Sequence, residues 1–511
     1  MRKVLILDFG SQYTQLIARK VRELGVYSEI RPFHFPLPRI RSGGFDAIVL
    51  SGGPQSVYEK GAPSVDPKIF GLGLPVLGVC YGLQLMTQLL GGAVAPSSRR
   101  EYGSASLRPL NRRGLLAGVE DKSQVWMSHG DKAERVPPGF VVAGRTSNTK
   151  IAAMEDAVRR LHAVQFHPEV IHTRQGRRIL SNFLFRIAGL EPDWSMGSFI
   201  ERKVKEIRAL VGHDRKVLCG LSGGVDSLVT ALLVRRAVGR RLVCIFVDNG
   251  LLRKSQAADL MAVFRKRFDL NVVGVGASRF FLGRLRGVVA PERKRKVIGE
   301  AFIRVFEREA RKIGGAAFLA QGTIYPDVIE SAPVQGPSAT IKSHHNVGGL
   351  PPGLRFKLIE PLRELFKDEV RALGRELGMD KDLVEQHPFP GPGLAVRIVG
   401  EVTPERIRIL QDADAVLLEE VRRAGIYRRL WQAFAVLLPV RSVGVMGDRR
   451  TYQRVVVARL VESVDGMTAH CYPAPPRLLA RISTRIVNEV EGVNRVVFDV
   501  TTKPPATIEW E

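Results

Sequence analysis

The chain has 511 residues, of which 45% are hydrophobic and 25% are charged, and this composition is typical of a globular protein. It contains no run of about 18 apolar residues, and its four cysteines form no Cys-x-x-Cys pair, so a membrane span, a disulfide framework and a cysteine zinc site are not expected. The formal net charge of +26 leaves nucleic-acid binding open as a function class.

The first predicted unit covers residues 1–190, where apolar strand runs alternate with amphipathic helices. Residues 4–7 form a very short apolar run that ends at an acid, which predicts a first β-strand rather than a signal peptide. Further strand runs lie at residues 47–50 and 76–79. The length predicts about three domains at roughly 150 residues each, and the alternation predicts that the first is a doubly wound α/β domain.

Cys80 lies between the strand run 76–79 and an apolar helix predicted from residue 83 onward. The spacing Gly78-x-Cys80-x-Gly82 is the nucleophile-elbow pattern with cysteine in place of serine. Such a turn places the sulfur at a helix N-terminus, which favours a reactive thiolate. We therefore predict a catalytic cysteine in a reducing, cytoplasmic location. The remaining cysteines are predicted to be buried small side chains: Cys219, Cys244 and Cys471.

A base for this thiol is predicted in the His-Pro-Glu segment at residues 167–169, which ends a short strand run. Because Pro168 keeps the backbone extended, His167 and Glu169 can lie on one side. In this arrangement Cys80 attacks, His167 transfers the proton and Glu169 orients the imidazole. The nearby His162 is predicted to be structural, because it lacks a carboxylate two residues further on.

These segments resemble the catalytic triad of the class I glutamine amidotransferases, and the glycine-containing loop at residues 51–57 fits the same family. The resemblance implies an oxyanion hole formed by the backbone N–H groups of Gly53 and Tyr81. It also implies that Gln84 lies at the glutamine site, and that residues 128–131, which include His129, form a loop facing that site.

A linker at residues 189–194 precedes the second predicted unit, a doubly wound α/β domain over residues 196–390. Its predicted strands lie at residues 217–221, 242–247, 271–275 and 317–321. The first of these strands leads into a Ser-Gly-Gly-x-Asp-Ser turn at residues 222–227, which we call the phosphate turn, and then into a helix. Strand, glycine turn and helix N-terminus together form a geometry that binds phosphate, because the free N–H groups of the first helical turn point at the anion.

The phosphate turn lacks the Gly-Lys-Ser/Thr ending of a Walker A loop. It resembles instead the turn of the ATP pyrophosphatases, which cleave ATP between its α and β phosphates. The resemblance implies that the turn cradles pyrophosphate and that Asp226 helps to hold Mg²⁺. The ATP-binding residues predicted here are Ser222, Gly223, Gly224, Val225, Asp226 and Ser227.

Four more ATP contacts are predicted outside this turn. Because ligands of open α/β sheets bind at the carboxyl ends of the strands, we expect Val247, Asp248 and Gly322 near the nucleotide. Lys342, in the polar loop at residues 341–349, is predicted to lie over the triphosphate. The two histidines of this loop lack the cysteine or carboxylate cluster of a metal site. We expect Mg²⁺ with ATP and no tightly bound organic cofactor.

The proline-rich segment 387–394 predicts a rigid turn into a third, smaller α+β domain over residues 391–511. With this domain included, the whole chain closely resembles the glutamine-hydrolysing GMP synthetase family. The resemblance implies ATP- and glutamine-dependent amination of XMP to GMP through an adenyl-XMP intermediate, with release of AMP, pyrophosphate and glutamate. It also implies that Arg295, Lys503 and Glu509 contact XMP, and that the third domain mediates a homodimer.

Two alternative functions stay open. The first is another glutamine-dependent ligase, such as one that makes NAD or an amidated nucleotide analogue. The second is a basic regulatory or nucleic-acid-binding protein on an inactive enzyme scaffold. The basic residues are spread widely and match no recognisable nucleic-acid module, so we expect no nucleic-acid partner. Lys294 and Lys296, in the densest basic stretch at residues 279–312, are predicted to lie on a solvated helix face.

Overall fold

The computed structural model describes residues 2–331, 356–446, 448–463, 466 and 468–511, so the predicted ATP contact Lys342 lies outside the described residues. The chain forms two compact units, the first ending at Phe199 and the second beginning at Ile200. Within the described ranges, no helix is both long enough and apolar enough to cross a lipid bilayer.

The first unit is built around one large mixed sheet. Its strands are β1 (Lys3–Asp8), β2 (Tyr27–Pro32), β3 (Ala47–Leu50), β4 (Val76–Val79), β5 (Ala93–Pro109), β6 (Ser123–Arg135), β7 (Val141–Arg145), β8 (Ala153–Asp156) and β9 (Leu161–Val164). Its α-helices are α1 (Thr14–Glu23), α2 (Leu37–Ser42), α3 (Tyr81–Leu89) and α4 (Gly176–Ser181). The strand order is β2-β1-β3-β4-β9-β8-β7-β5-β6.

The parallel part of this sheet, from β2 to β9, carries the predicted strand runs. Every residue of β3, β4 and β9 is buried, as expected for parallel strands covered on both faces. The sequence analysis did not predict the long antiparallel pair of β5 and β6. Residues 128–131 lie within β6, paired with residues of β5, which corrects the predicted loop.

The second unit contains two sheets. Its strands are β10 (Lys216–Leu221), β11 (Leu242–Asp248), β12 (Val272–Gly276), β13 (Ala316–Ala320), β14 (Lys357–Ile359), β15 (Gln432–Met446), β16 (Arg449–Glu462), β17 (His470–Cys471) and β18 (Val493–Phe498). Its α-helices are α5 (Met196–Val211), α6 (Val225–Val238), α7 (Gln256–Ala262), α8 (Ser278–Leu285), α9 (Pro291–Ile313), α10 (Tyr325–Ser331), α11 (Lys367–Glu376), α12 (Lys381–Val384), α13 (Pro404–Arg423) and α14 (Pro476–Glu489). The first four residues of α5 precede the boundary between the units.

The larger sheet of the second unit is wholly parallel, in the order β12-β11-β10-β13-β14. Cys219 and Cys244 face each other on β10 and β11 and are buried, which confirms their predicted burial, whereas Cys471 is only partly buried. The smaller sheet pairs β15 antiparallel with β16, and β17 and β18 also pair with β16. One continuous hydrophobic core underlies both sheets, from Leu218 in β10 to Val456 in β16. The predicted α/β class with a smaller C-terminal sheet is confirmed.

Candidate active sites

Cys80 sits at the sharp turn between β4 and α3, with backbone angles of φ 54° and ψ −104°. Residues other than glycine rarely adopt a positive φ. The two flanking glycines make this turn sterically feasible. A Cβ on Gly78 would lie 2.6 Å from the carbonyl oxygen of Gly82, and a Cβ on Gly82 would overlap the carbonyl oxygen of Leu50. The chain therefore forms the predicted elbow, and the glycine spacing is explained by close backbone contact.

A buried imidazole–carboxylate pair lies beside this elbow. The Nδ1 atom of His167 is 2.8 Å from the Oε1 atom of Glu169, and both side chains are almost fully buried. Burial alone would lower the pKa of His167, but the charge of Glu169 and a hydrogen bond with Cys80 outweigh it and raise the pKa to about 11. A protonated imidazole beside the sulfur can serve as the proton donor of an acyl-transfer reaction. The pair is thus suited to activate Cys80 and to deliver a proton.

The glycine loop after β3 lies against the same elbow. A Cβ on Gly52 would be 3.2 Å from the Cε1 atom of His167, and one on Gly53 would be 3.2 Å from the Cγ atom of Tyr81. The backbone of Gly53 is therefore close to the first residue of α3, where N–H groups lack intrahelical acceptors. The structure brings together the two residues predicted to form the oxyanion hole, and their role stays a prediction.

Gln84 and His129 converge on one backbone carbonyl. The Nε2 atom of Gln84 lies 2.9 Å and the Nδ1 atom of His129 lies 2.8 Å from the carbonyl oxygen of Asp131. The other ring nitrogen of His129 is 3.4 Å from the Oε2 atom of Glu101, and the imidazole is buried. His129 therefore supports the wall of the site from inside strand β6.

Two groups lie beside the sulfur, one from the segment 128–131 that was predicted to face the glutamine site and one, Gln165, that was not predicted. The Sγ atom of Cys80 lies 3.6 Å from the carbonyl oxygen of Ser128 and 3.8 Å from the Nε2 atom of Gln165. Ser128 belongs to β6, and Trp126 of the same strand accepts a hydrogen bond of 3.0 Å from the N–H group of His167. Gln165 precedes His167 by two residues, just beyond the end of β9, and this spacing was the signal in the sequence that could have identified it.

The structure gives His162 a partner that was not predicted from the sequence. Its Nδ1 atom lies 3.3 Å from the Oε2 atom of Glu155, on the neighbouring strand β8. Both side chains are buried. A carboxylate does accompany His162, but it comes from another strand rather than from two residues further on. Among the described residues, no hydrogen bond or ion pair joins this pair to Cys80, which agrees with a structural role.

The phosphate turn joins β10 to α6 as predicted. Gly223 has a φ of 83°, a conformation that favours glycine. The hydroxyl groups of Ser222 and Ser227 lie 3.1 Å apart, and Ser227 donates a hydrogen bond of 2.9 Å to the carbonyl oxygen of Gly224. These contacts hold the turn in a shape that presents the N-terminus of α6, the geometry suited to an anion.

Asp226 already holds a cation in this structure. The Nζ atom of Lys367 lies 2.6 Å from Oδ1 and 2.8 Å from Oδ2 of its carboxylate. A position that accepts an ammonium in this way also suits Mg²⁺, which binds through one or two carboxylates together with waters and substrate phosphates. Sequence analysis missed Lys367, because it is 141 residues away and belongs to no recognised motif.

The remaining predicted ATP contacts fall around this turn or on the neighbouring strand. A Cβ on Gly322 would be 3.2 Å from the carbonyl oxygen of Asp226, so the two backbones are adjacent. Val247 and Asp248 end β11, and the Oδ1 atom of Asp248 accepts a hydrogen bond of 3.0 Å from the N–H group of Gly250. Their placement at the carboxyl end of the sheet agrees with the expectation for a nucleotide site.

The three predicted XMP contacts lie on or against the C-terminal segment. Lys503 donates from Nζ to the carbonyl oxygen of Gly466 at 2.7 Å, and Glu509 forms an ion pair with Arg397. The Nη2 atom of Arg295 donates to the main-chain oxygen of Glu511. The structure therefore gathers all three predicted residues into one region of the second unit.

Lys294 corrects the prediction of a solvated helix face. Its side chain is fully buried, and its ammonium contacts the Glu511 carboxylate and the carbonyl oxygens of Ala395 and Ile398, the latter two at 3.1 Å and 2.6 Å. A charged helix position is usually solvated, but here distant segments supply a carboxylate and two carbonyls. Such partners are what a buried charge requires.

Comparison with known proteins gives consistent results. Residues 5–187 match the family described as glutamine amidotransferase class-I, and residues 419–510 match the GMP synthase C terminal domain. A GMP synthase [glutamine-hydrolyzing] of Brachyspira hyodysenteriae is 55% identical over 100% of this chain and 99% of its own. Similar proteins of the same name from Carboxydothermus hydrogenoformans and Symbiobacterium thermophilum are 56% and 58% identical, covering 100% and 99% of this chain and 99% of each relative.

Proposed function

The chain belongs to the glutamine-hydrolysing GMP synthase family, whose members are ligases with glutamine as amido donor. From this premise we propose that it aminates XMP to GMP in two coupled steps. Glutamine is hydrolysed to glutamate and ammonia at the elbow of the first unit. ATP adenylylates XMP at the phosphate turn of the second unit, and ammonia then displaces AMP from the adenyl-XMP intermediate.

The geometry of the first unit supports the glutaminase step. The thiolate of Cys80 attacks the side-chain amide of glutamine, and the oxyanion that forms is stabilised by the N–H groups of Gly53 and Tyr81. His167 donates its proton to the departing ammonia and then removes one from the water that hydrolyses the glutamyl thioester. Glu169, 2.8 Å from the His167 ring, stabilises the imidazolium.

The phosphate turn supports the adenylylation step. The carbonyl oxygen at C2 of XMP attacks the α-phosphorus of ATP, and the bond to the β-phosphate breaks so that pyrophosphate leaves. The N–H groups of the turn and the Lys367 ammonium are placed to stabilise the negative charge that develops. Mg²⁺, when bound, neutralises phosphate charge. Asp226 is the residue that would hold this ion.

One observation carries the proposal: a cysteine on a nucleophile elbow lies beside a buried His167–Glu169 pair and helps to raise the pKa of that histidine, in a chain that matches its relatives over its full length. The test is to incubate the purified protein with XMP, Mg-ATP and glutamine. We expect GMP, AMP, pyrophosphate and glutamate in equal amounts. Turnover that does not depend on XMP would favour another glutamine-dependent ligase, and duplex DNA binding without turnover would favour the nucleic-acid alternative.

A substitution at Lys503 tests the XMP contacts. We expect Lys503→Met to raise the KM for XMP about 10- to 100-fold, because a hydrogen bond to a charged group contributes about 1.5–3 kcal/mol. The KM for ATP should change less than about twofold. Lys381, an exposed lysine of α12, offers the matched control Lys381→Met. An unchanged KM for XMP in Lys503→Met would show that this side chain does not bind the nucleotide.

We also propose a homodimer. The paired ends of β15 and β16 expose apolar side chains on one face, with Val443 51%, Val445 71% and Tyr452 59% accessible. Exposed apolar patches of this kind are typical of protein–protein contacts. Sedimentation of the purified protein is the direct check, and a monomer at micromolar concentration would contradict this proposal.

A further inference from the structure

Arg397 is a fully buried cation whose guanidinium is aimed at Glu509. Its Nε atom lies 3.0 Å from Oε2 and its Nη2 atom 2.9 Å from Oε1, so the ion pair is bidentate. The aromatic rings of Phe434 and Phe389 lie 4.1 Å and 5.3 Å from the guanidinium carbon. These rings and the carboxylate leave the guanidinium little freedom to move, because both bidentate pairing and aromatic contact fix its plane.

The two partners of this ion pair differ in accessibility. The side chain of Arg397 has 0% of its surface exposed, whereas that of Glu509 has 18% exposed. A ligand can therefore reach the carboxylate but not the guanidinium. Among the described residues, the Nη1 atom of Arg397 has no hydrogen-bond partner, which underlines how strongly this cation depends on Glu509 for its compensation.

One oxygen of the Glu509 carboxylate can accept a further hydrogen bond. Oε1 of Glu509 accepts from Arg397 and also from the Nε2 atom of Gln432 at 3.1 Å. Oε2 accepts from Arg397 alone among the contacts of the described residues. Since each carboxylate oxygen can accept about two hydrogen bonds, Oε2 has room for a further donor, and its direction is set by the bidentate pair.

We propose that Arg397 is a positioning residue for the purine base: it orients Glu509 so that Oε2 accepts a hydrogen bond from a ring N–H group of the nucleotide. This inference rests on the proposed function, in which Glu509 meets XMP. Arg397 itself does not contact the substrate. The bidentate geometry supplies the orientation, and because Arg397 is fully buried, solvent does not compete for the guanidinium that holds the carboxylate.

The test compares Arg397→Lys, Glu509→Gln and the double variant. We expect Arg397→Lys to raise the KM for XMP about 10- to 100-fold, since one ammonium cannot reproduce two parallel hydrogen bonds. The kcat at saturating XMP, the KM for ATP and the reaction of Cys80 with a thiol reagent should change less than about twofold. A variant that had lost its structure would instead change the kcat, both KM values and the thiol reaction together.

The double variant separates action through Glu509 from independent action. If Arg397 works through that carboxylate, Arg397→Lys should add less than about twofold to the XMP KM of Glu509→Gln. Lys503→Met is the comparison, because the Lys503 ammonium bonds to the carbonyl oxygen of Gly466 and not to Glu509. Its fold-change in the KM for XMP should multiply with that of Glu509→Gln. If the fold-changes in the KM for XMP caused by Arg397→Lys and Glu509→Gln also multiply in the double variant, the inference is wrong.

Glu509→Asp covers the case in which Arg397→Lys fails to fold. This variant keeps the charge, but the shorter side chain cannot reach both Nε and Nη2 of Arg397 in the observed geometry. We expect its XMP KM to rise about as much as that of Glu509→Gln, and a wild-type KM would contradict the inference. The unsubstituted protein is assayed in parallel. If it shows no XMP-dependent turnover, the proposed function fails, whereas XMP-dependent turnover with unaltered KM values in the variants removes only the role of Arg397.

Discussion

Cys80→Ala is expected to abolish GMP formation from glutamine while ammonium-dependent GMP formation stays within about twofold of the unsubstituted protein. Removal of a covalent nucleophile lowers turnover by at least about 10³-fold. Water or hydroxide would then have to attack the amide directly, and it is a weaker nucleophile than the thiolate and is not held in position. The adenylylation step needs no residue of the elbow, so ammonium supplied in solution should replace glutamine. GMP formation is measured at saturating XMP and Mg-ATP with each nitrogen donor in turn.

The matched control is Cys471→Ala, since Cys471 is only partly buried and lies on the short strand β17 far along the chain. It should retain both activities. Loss of the ammonium-dependent reaction in Cys80→Ala would mean that the two chemical steps share the sulfur, which contradicts the proposed division of labour.

Asp226→Ala is expected to lower GMP formation by about 10²- to 10⁴-fold with either nitrogen donor. The substitution removes the carboxylate that would hold Mg²⁺, and it leaves the Lys367 ammonium, 2.6 Å from Oδ1 in the structure, without its counter-charge. Both effects slow the release of pyrophosphate. This step comes before ammonia reacts, so the nitrogen donor should make no difference. The measurement is XMP-dependent pyrophosphate release, followed with glutamine and with ammonium.

Asp259→Ala is the control for this experiment, because Asp259 is an exposed acid of the same unit, on α7. It should behave like the unsubstituted protein. Alkylation of Cys80 by a thiol reagent should also be unchanged in Asp226→Ala, which would show that the first unit is intact. Normal pyrophosphate release by Asp226→Ala would remove this residue from the phosphate site.

The sequence predicts the parts of these sites that depend on a few adjacent residues. The elbow could be predicted from Gly78 and Gly82, because a side chain at either position would collide with nearby backbone. The phosphate turn could be predicted from a short motif between a strand and a helix. His167 and Glu169 are only two residues apart, so their pairing could be predicted from the sequence, although Pro168 and Glu169 form a turn rather than the predicted extended segment.

Contacts between distant segments account for what the sequence did not predict. The carbonyl of Ser128 reaches Cys80 across 48 residues, and Lys367 reaches Asp226 across 141 residues. Arg397 and Glu509 are separated by 112 residues. Lys294 was assigned to solvent because its neighbours in sequence are charged, but its environment is set by residues 395–398 and 511. These contacts join residues that are far apart in the sequence, so neither periodicity nor a motif predicts them.

The positive φ of Cys80, 54°, has a consequence for the stability of the first unit. A residue with a side chain pays roughly 1–2 kcal/mol for such a conformation, and glycine does not. Glycine at position 80 would therefore make the first unit more robust and at the same time chemically inert. Stability and turnover therefore make opposite demands on the residue at position 80.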